Sequence, residues 1–270
     1  MIKALFFDLD GTLLNSKGRI AYSSIKALKK CRESGIMVFP ATGRPPLLEH
    51  TLSLSGEELG LFNDGGIFYN GGCVCQGSCK QYATLDENTV TVVVKTVLEY
   101  QNINLAVQMI DERHSFNFNV PEEHLSLWGI TKEYVLPFKA SGNVDPVKLF
   151  MFSPDDGTGL HELRDALVPL IRDSANIYLT SKNKNLEIVG KDISKKNGIE
   201  RMIKCLGISP SEIAVFGDDM NDIEMLAGFP HSIAMGNACD EIKAAAGYTA
   251  LDNNSDGIYH ALRDYLGITL

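Results

Sequence analysis

One pentapeptide restricts this chain more than any other feature: Asp8-Leu9-Asp10-Gly11-Thr12, placed directly after the apolar run Ala4-Leu5-Phe6-Phe7. A short apolar run of this kind suits a strand buried on both faces, as in a parallel sheet covered by helices. Residues two apart on an extended chain point the same way, so Asp8 and Asp10 leave the strand's C-terminal end together. Open α/β sheets gather their ligands at that end. Gly11 lets the backbone turn away sharply. Taken alone, the two aspartates also fit turn formers or helix caps, the common use of single aspartates.

Three further segments shift the balance toward a site. Pro40-Ala41-Thr42-Gly43-Arg44 follows the apolar run Ile36–Phe39 and offers a hydroxyl, a bare backbone and a guanidinium. Such donors suit a phosphate. Gly217-Asp218-Asp219-Met220-Asn221-Asp222 follows the run Ile213–Phe216 and opens a helix, and Lys195, with Lys196 beside it, starts the helix carrying Ile199, Met202, Ile203 and Leu206. Two carboxylates about 4 Å apart repel by roughly 4 kcal/mol at an effective dielectric near 20. A site assembling Asp8, Asp10, Asp218, Asp219 and Asp222 therefore needs a cation or bound protons. All-oxygen ligation without His or Cys favours Mg²⁺ over Zn²⁺.

Both ends of the chain alternate strand and helix, which implies a parallel sheet with helices on both faces. The predicted elements are a helix from Ser23 or Ser24 to Gly35, a helical segment from Pro45 through Leu59 and a strand at Ile67–Tyr69. Later come the helix stopped at Gly207, strands at Ile213–Phe216, Ser232–Met235 and Tyr248–Ala250, and helices at Ile223–Leu226, Asp240–Ala246 and Gly257–Leu266. The middle reads differently, with strands at Leu105–Ile110, Ser115–Asn119, Val147–Phe152, Ile177–Thr180 and Leu186–Val189 and helices at Asp86–Tyr100 and Gly159–Arg172. It reads as an α+β insertion, residues 84–189, between two halves of one α/β domain, residues 1–83 and 190–270.

Thirty-four acids against 25 Lys plus Arg give a net charge of −9, which argues against nucleic acid and anionic membrane partners. No apolar run approaches the roughly 20 residues of a membrane span, and the opening Met1–Asp8 has no signal-peptide anatomy. The expectation is a cytoplasmic protein without an obligate protein partner. Cys73, Cys75 and Cys79 cluster, with 73 and 75 on one strand face, but no fourth Cys or His stands at zinc spacing.

The motifs, taken in order, resemble those of the haloacid dehalogenase superfamily, specifically its Cof-type phosphatases. They are Asp8-Leu9-Asp10-Gly11-Thr12-Leu13-Leu14, Ala41-Thr42-Gly43-Arg44, Lys195, and Gly217-Asp218-Asp219-Met220-Asn221-Asp222, with Ala234-Met235-Gly236-Asn237-Ala238 and Asp256-Gly257-Ile258 behind them. Lys196 departs from the family's usual Gly, and Asp219 adds an acid to the loop. The resemblance implies a Rossmann-like parallel-sheet core with an inserted α/β cap, and Mg²⁺-dependent hydrolysis of a small phosphomonoester, foremost a sugar phosphate. It makes Asp8 the nucleophile, forming an aspartyl phosphate, and Asp10 the acid and base. Leu9 (through its N–H), Thr42, Gly43, Lys195 and Asn221 hold the phosphoryl oxygens. The metal falls to the carboxylates of Asp8 and Asp218 and the backbone carbonyl of Asp10. Asp222 is expected to orient Lys195 or the metal shell, while Arg44 fits either phosphate or a structural carboxylate. In the insertion, Arg113, His114, His124 and Trp128 fit either a sugar pocket or ordinary packing. A phosphohexomutase, a sucrose-phosphatase relative and a non-catalytic binder of phosphorylated ligands are alternatives on such a core.

Overall fold

The computed structural model describes residues 1–138 and 145–270; residues 139–144 of the expected insertion lie outside them. In chain order the strands are β1 (Ala4–Phe7), β2 (Met37–Pro40), β3 (Gly65–Phe68), β4 (Cys73–Gln76), β5 (Cys79–Tyr82), β6 (Asn104–Met109), β7 (His114–Phe116), β8 (Pro146–Phe152), β9 (Ala175–Thr180), β10 (Asn185–Gly190), β11 (Ile213–Gly217), β12 (Ser232–Ala234) and β13 (Tyr248–Thr249). They form a parallel sheet in the order β13-β12-β11-β1-β2, an antiparallel sheet β7-β6-β8-β10-β9 and a small sheet β3-β4-β5.

The parallel sheet is apolar on both faces, as the run Ala4–Phe7 predicts. Phe7 stacks on Phe216 at 4.5 Å and Phe6 on Phe39 at 5.0 Å, so adjacent strands interlock on each side. Leu5 and Phe7 share one core with Leu28 and Phe216, under the helix Tyr22–Glu33. Phe6 and Phe39 share the opposite core with Ile199, Met202 and Ile203, from the helix Lys195–Leu206. Ser194 caps that helix by accepting from the Asn197 N–H, and Gly207 ends it in the left-handed conformation. The register pairs Phe7 with both Phe216 and Pro40. The residues that follow, Asp8, Ala41 and Gly217, therefore emerge together at one sheet edge.

The cap is a five-stranded antiparallel sheet with a two-residue period, interrupted by a register shift between Gln108 and Met109. Leu105, Val107, Leu149, Met151, Leu186 and Ile188 face one way and pack on the helices Glu87–Val97 and Leu160–Ile171. Gln108, Lys148, Phe150, Phe152, Asn185 and Glu187 share the other face.

Three expectations need correction. The strand near Ile67 does not extend the parallel sheet; it pairs antiparallel with β4, and only an isolated bridge, Ala41 to Ile67, joins it to the segment after β2. An apolar run marks a strand but does not name its partner. The segment Pro45–Leu59 is broken into two short helices, Leu48–Thr51 and Gly56–Leu59, because Ser55 starts a new capping box with Glu58. The last helix holds α geometry only over Gly257–His260 before a π turn at Ala261–Tyr265.

Candidate active site

Three loops from the parallel sheet converge with the start of one helix. Asp8, buried, leaves β1, and its Oδ1 accepts from Lys195 Nζ at 2.6 Å. The same ammonium donates to Asp222 Oδ1 at 2.6 Å, and all three side chains are shielded from water. The other Asp222 oxygen accepts the backbone N–H groups of Asp218 and Asp219 at 2.9 and 3.0 Å, which shapes the loop after β11. Asp222 is thus spent on Lys195 and on the loop. Asp218 accepts from Thr12 Oγ1 at 2.6 Å and from Asn237 Nδ2 at 3.1 Å. Gly11 is obligatory here: its φ is +89°, and a Cβ would lie 2.3 Å from an Asp218 oxygen.

One oxygen from each of Asp8, Asp218 and Asp222 lies within 4.8 Å of the others. Three carboxylates against one ammonium leave excess negative charge, and it shows in the protonation equilibria. Burial pushes the Asp8 carboxyl well above its usual range; Lys195 opposes this, while Asp222, Asp218 and Asp10 add to it. Burial and Asp222 push Asp218 up to about 7, against the Thr12 hydroxyl. Burial also works against the Lys195 charge, but Asp222 and Asp8 outweigh it and hold the ammonium above its ordinary value. The donor set is all oxygen and over-charged, so it fits a hard divalent cation. Asp222 already serves Lys195 and two amides, which leaves Asp8 and Asp218 as the carboxylates best able to ligate.

Asp10 points elsewhere. Its two oxygens accept from Arg44 Nε and Nη2 at 2.7 and 2.8 Å, so Arg44 clamps a carboxylate, that of Asp10. Thr42 is buried, and its hydroxyl accepts the Arg44 N–H at 3.2 Å. Gly43 passes so close to the cap that a Cβ would sit 3.1 Å from Lys148 Nζ and 3.1 Å from a Glu187 oxygen. Leu9 is buried between the two aspartates. Asn221 donates to Asn70 Oδ1 at 3.1 Å. Asp219 lies outside the carboxylate group: its Oδ2 accepts the backbone N–H of Ser181 in the cap at 2.6 Å. Lys196 pairs with Glu200 on its own helix, where its stem crosses Gly228.

A cavity of about 340 Å³ opens above these residues. Its floor includes Asp8, Asp10, Thr42, Gly43 and Asn221, and its cap wall includes Gln108, Trp128, Lys148, Phe150 and Glu187. Of the four insertion residues singled out from sequence, Trp128 lines it. His114 is buried within the cap sheet, His124 is exposed, and Arg113 is absent from the lining. Sequence reading missed a buried network across the seam. Lys148 Nζ donates to Gly43 O at 2.9 Å and pairs with Glu187 at 2.7 Å; Glu187 also accepts from Asn70 at 2.6 Å and Thr180 at 3.0 Å. The available signal was Lys148 and Glu187 as charges inside apolar strands.

The family of haloacid dehalogenase-like hydrolases matches residues 5–262. This chain belongs to that family. The Cof-type resemblance read from the motifs is borne out, and the haloacid dehalogenase fold with its antiparallel cap is shared by solved relatives. One is the HAD subclass IIB sugar phosphatase BT4131, 26% identical, with a TM-score of 0.80 over 98% of this chain and 100% of that one. Among curated relatives, the 5-amino-6-(5-phospho-D-ribitylamino)uracil phosphatase YcsE of Bacillus subtilis is 25% identical over 98% of this chain and 96% of its own length. The chloroplastic endoribonuclease YBEY of Arabidopsis thaliana is 29% identical, and this chain spans 46% of its length. Among the described residues no helix is long and apolar enough to cross a membrane.

Proposed function

We propose that this haloacid dehalogenase-like hydrolase is a Mg²⁺-dependent phosphatase acting on a small phosphorylated metabolite, foremost a hexose phosphate. The enzyme class, phosphoric monoester hydrolase, follows from the family and the phosphatases among its relatives. The observation that carries the reading is Asp8 at the floor of the cavity, with Lys195 at 2.6 Å and Asp218 in the same carboxylate group. The volume, about 340 Å³, lies at the small end of ligand pockets, which run roughly 300–1,000 Å³.

In this reading the carboxylates of Asp8 and Asp218 and the backbone carbonyl of Asp10 hold Mg²⁺. When bound there, the ion supplies the positive charge that lets a carboxylate approach a phosphate dianion. Asp8 attacks phosphorus and the ester oxygen departs, leaving an aspartyl phosphate. Asp10 gives that oxygen its proton and then takes one from the hydrolytic water. Arg44 occupies both Asp10 oxygens, so each transfer requires the guanidinium to yield one of them. The Leu9 N–H, Thr42, Gly43, Lys195 and Asn221 hold the phosphoryl oxygens as charge shifts onto them. Residues 84–189 act as a lid that excludes water and selects the leaving group.

The test is a panel of phosphate esters with Mg²⁺, read as inorganic phosphate. Sugar phosphates should lead, EDTA should stop turnover and Mn²⁺ should restore part of it. Full turnover by demonstrably metal-free protein, or no phosphate from any ester, sinks the reading. Product in which phosphate has moved to another hydroxyl without release marks a mutase instead.

A further inference from the structure

Gln108 stands on the cavity face of the cap sheet, paired in register with Lys148 on β8 and His114 on β7. It lines the cavity yet is only 4% exposed. Its amide orientation is fixed by a chain of hydrogen bonds. His114 Nδ1 lies 2.9 Å from the backbone oxygen of Glu112, which can only accept, so Nδ1 carries the hydrogen. Burial pushes His114 down to about 4, so the ring is neutral near pH 7 and Nε2 presents a lone pair. Gln108 Nε2 lies 3.0 Å from that lone pair and must donate to it. A flipped amide would face one acceptor with another. The carbonyl oxygen Oε1 is left buried and without a donor among the described residues.

A buried acceptor without a partner is penalised, and one on a residue that lines a cavity can be completed by a donor that fills that cavity. Trp128 and Phe150, which border the same cavity, offer apolar ring surface. Under the phosphatase reading, the donor that the cavity would receive is a hydroxyl of the ester's leaving group.

We infer that Gln108 Oε1 is a specificity-determining acceptor for one hydroxyl of the substrate's leaving group. The inference rests on the phosphatase reading and deepens it: the ester carries a polyol, and His114 is the positioning residue that aims the amide.

The test uses the full-length enzyme with Mg²⁺ and a series of sugar phosphates, each lacking one hydroxyl, beside the parent ester and p-nitrophenyl phosphate. In the wild type, one deoxy analogue should lose about tenfold or more in kcat/KM, the scale of one hydrogen bond of about 1.4 kcal/mol. Gln108→Met should erase the difference at that position, and its loss on the parent ester should exceed its loss on p-nitrophenyl phosphate by about the same factor. Gln108→Asn, which keeps the amide but draws it back, should lose the same discrimination and gives a second variant where the first folds poorly. Unchanged discrimination at every position in a folded variant overturns the assignment, as does a wild type indifferent to every hydroxyl. A wild type that hydrolyses no ester at all overturns the phosphatase reading itself, a distinct result.

Discussion

Replacing Glu187 by Gln tests the buried seam between cap and core. The substitution keeps the shape of the side chain and removes its charge. Glu187 accepts from Lys148 at 2.7 Å, Asn70 at 2.6 Å and Thr180 at 3.0 Å. Burial works against the Glu187 charge, but Lys148 and these hydrogen bonds outweigh it and hold the carboxyl below its ordinary value. At Lys148 burial wins, and its value is lowered despite the carboxylate partner. The glutamine variant therefore leaves an ammonium in the interior with neutral acceptors, the Gly43 carbonyl and the new amide oxygen, and no counter-charge. Breaking such a pair from one side costs about 3–5 kcal/mol. An unfolding entropy of about 2.1 cal/mol/K per residue gives about 0.57 kcal/mol/K for the 270-residue chain. The expected drop in Tm is then about 5–9 °C when the chain melts as a unit. Calorimetry at pH 7 measures it, with urea unfolding as a check on the free energy. Lys148→Met combined with Glu187→Leu should recover most of the loss, since an apolar pair of similar volume has no charge to desolvate. A Glu187→Gln variant within about 1 kcal/mol of wild type would refute the claim that Lys148 depends on this partner.

Asp8→Asn should abolish phosphate release and raise the stability of metal-free protein, by relieving repulsion among Asp8, Asp218 and Asp222; retained turnover would assign the nucleophile to another residue. Asp10→Asn should lower kcat by about 10²–10⁴-fold while phosphate binding changes little, and equal losses of metal affinity and turnover would make its side chain a ligand. Asp218, pushed up to about 7 when metal-free, keeps its proton in the folded state after unfolded aspartates, near pH 3.9, have lost theirs. Its contribution to stability in EDTA should therefore fall as pH rises from about 4 to about 7 and level off above. Thermal melts of wild type against Asp218→Asn check this, and a difference that grows the other way refutes it. Replacing residues 84–189 with a short Gly-Ser loop should depress hydrolysis of the preferred sugar phosphate far more than that of an activated aryl phosphate; a folded capless protein with an unchanged preference order would remove the cap from substrate choice.

The floor of the site was legible because its chemistry is contiguous. Asp8 to Thr12, Thr42 to Arg44 and Gly217 to Asp222 each place several functional groups on one loop, and each loop follows an apolar strand. The wall was not. Gln108, Lys148 and Glu187 come from three strands, and nothing local announces that β6, β8 and β10 lie side by side. Asn70, whose side chain joins Asn221 to Glu187, stands just past a predicted strand with no motif around it to announce that role. Arg44 stood open between phosphate and carboxylate because its reach to Asp10 depends on β2 lying beside β1, a tertiary fact. The partner of the Gly65–Phe68 strand went unread for the same reason.

The alternation of the cap sheet has a bearing on how such an enzyme changes substrate. Positions 106, 108, 148, 150, 185 and 187 face one way, while 105, 107, 149, 151, 186 and 188 hold the cap's own interior. A library randomised at 108, 150 and 185, which line the cavity, would remodel its wall and leave both that interior and the buried Lys148–Glu187 pair untouched. Randomising the second set would mostly yield unfolded protein. Selection for a new ester can therefore proceed one side chain at a time along a strand, skipping every second codon.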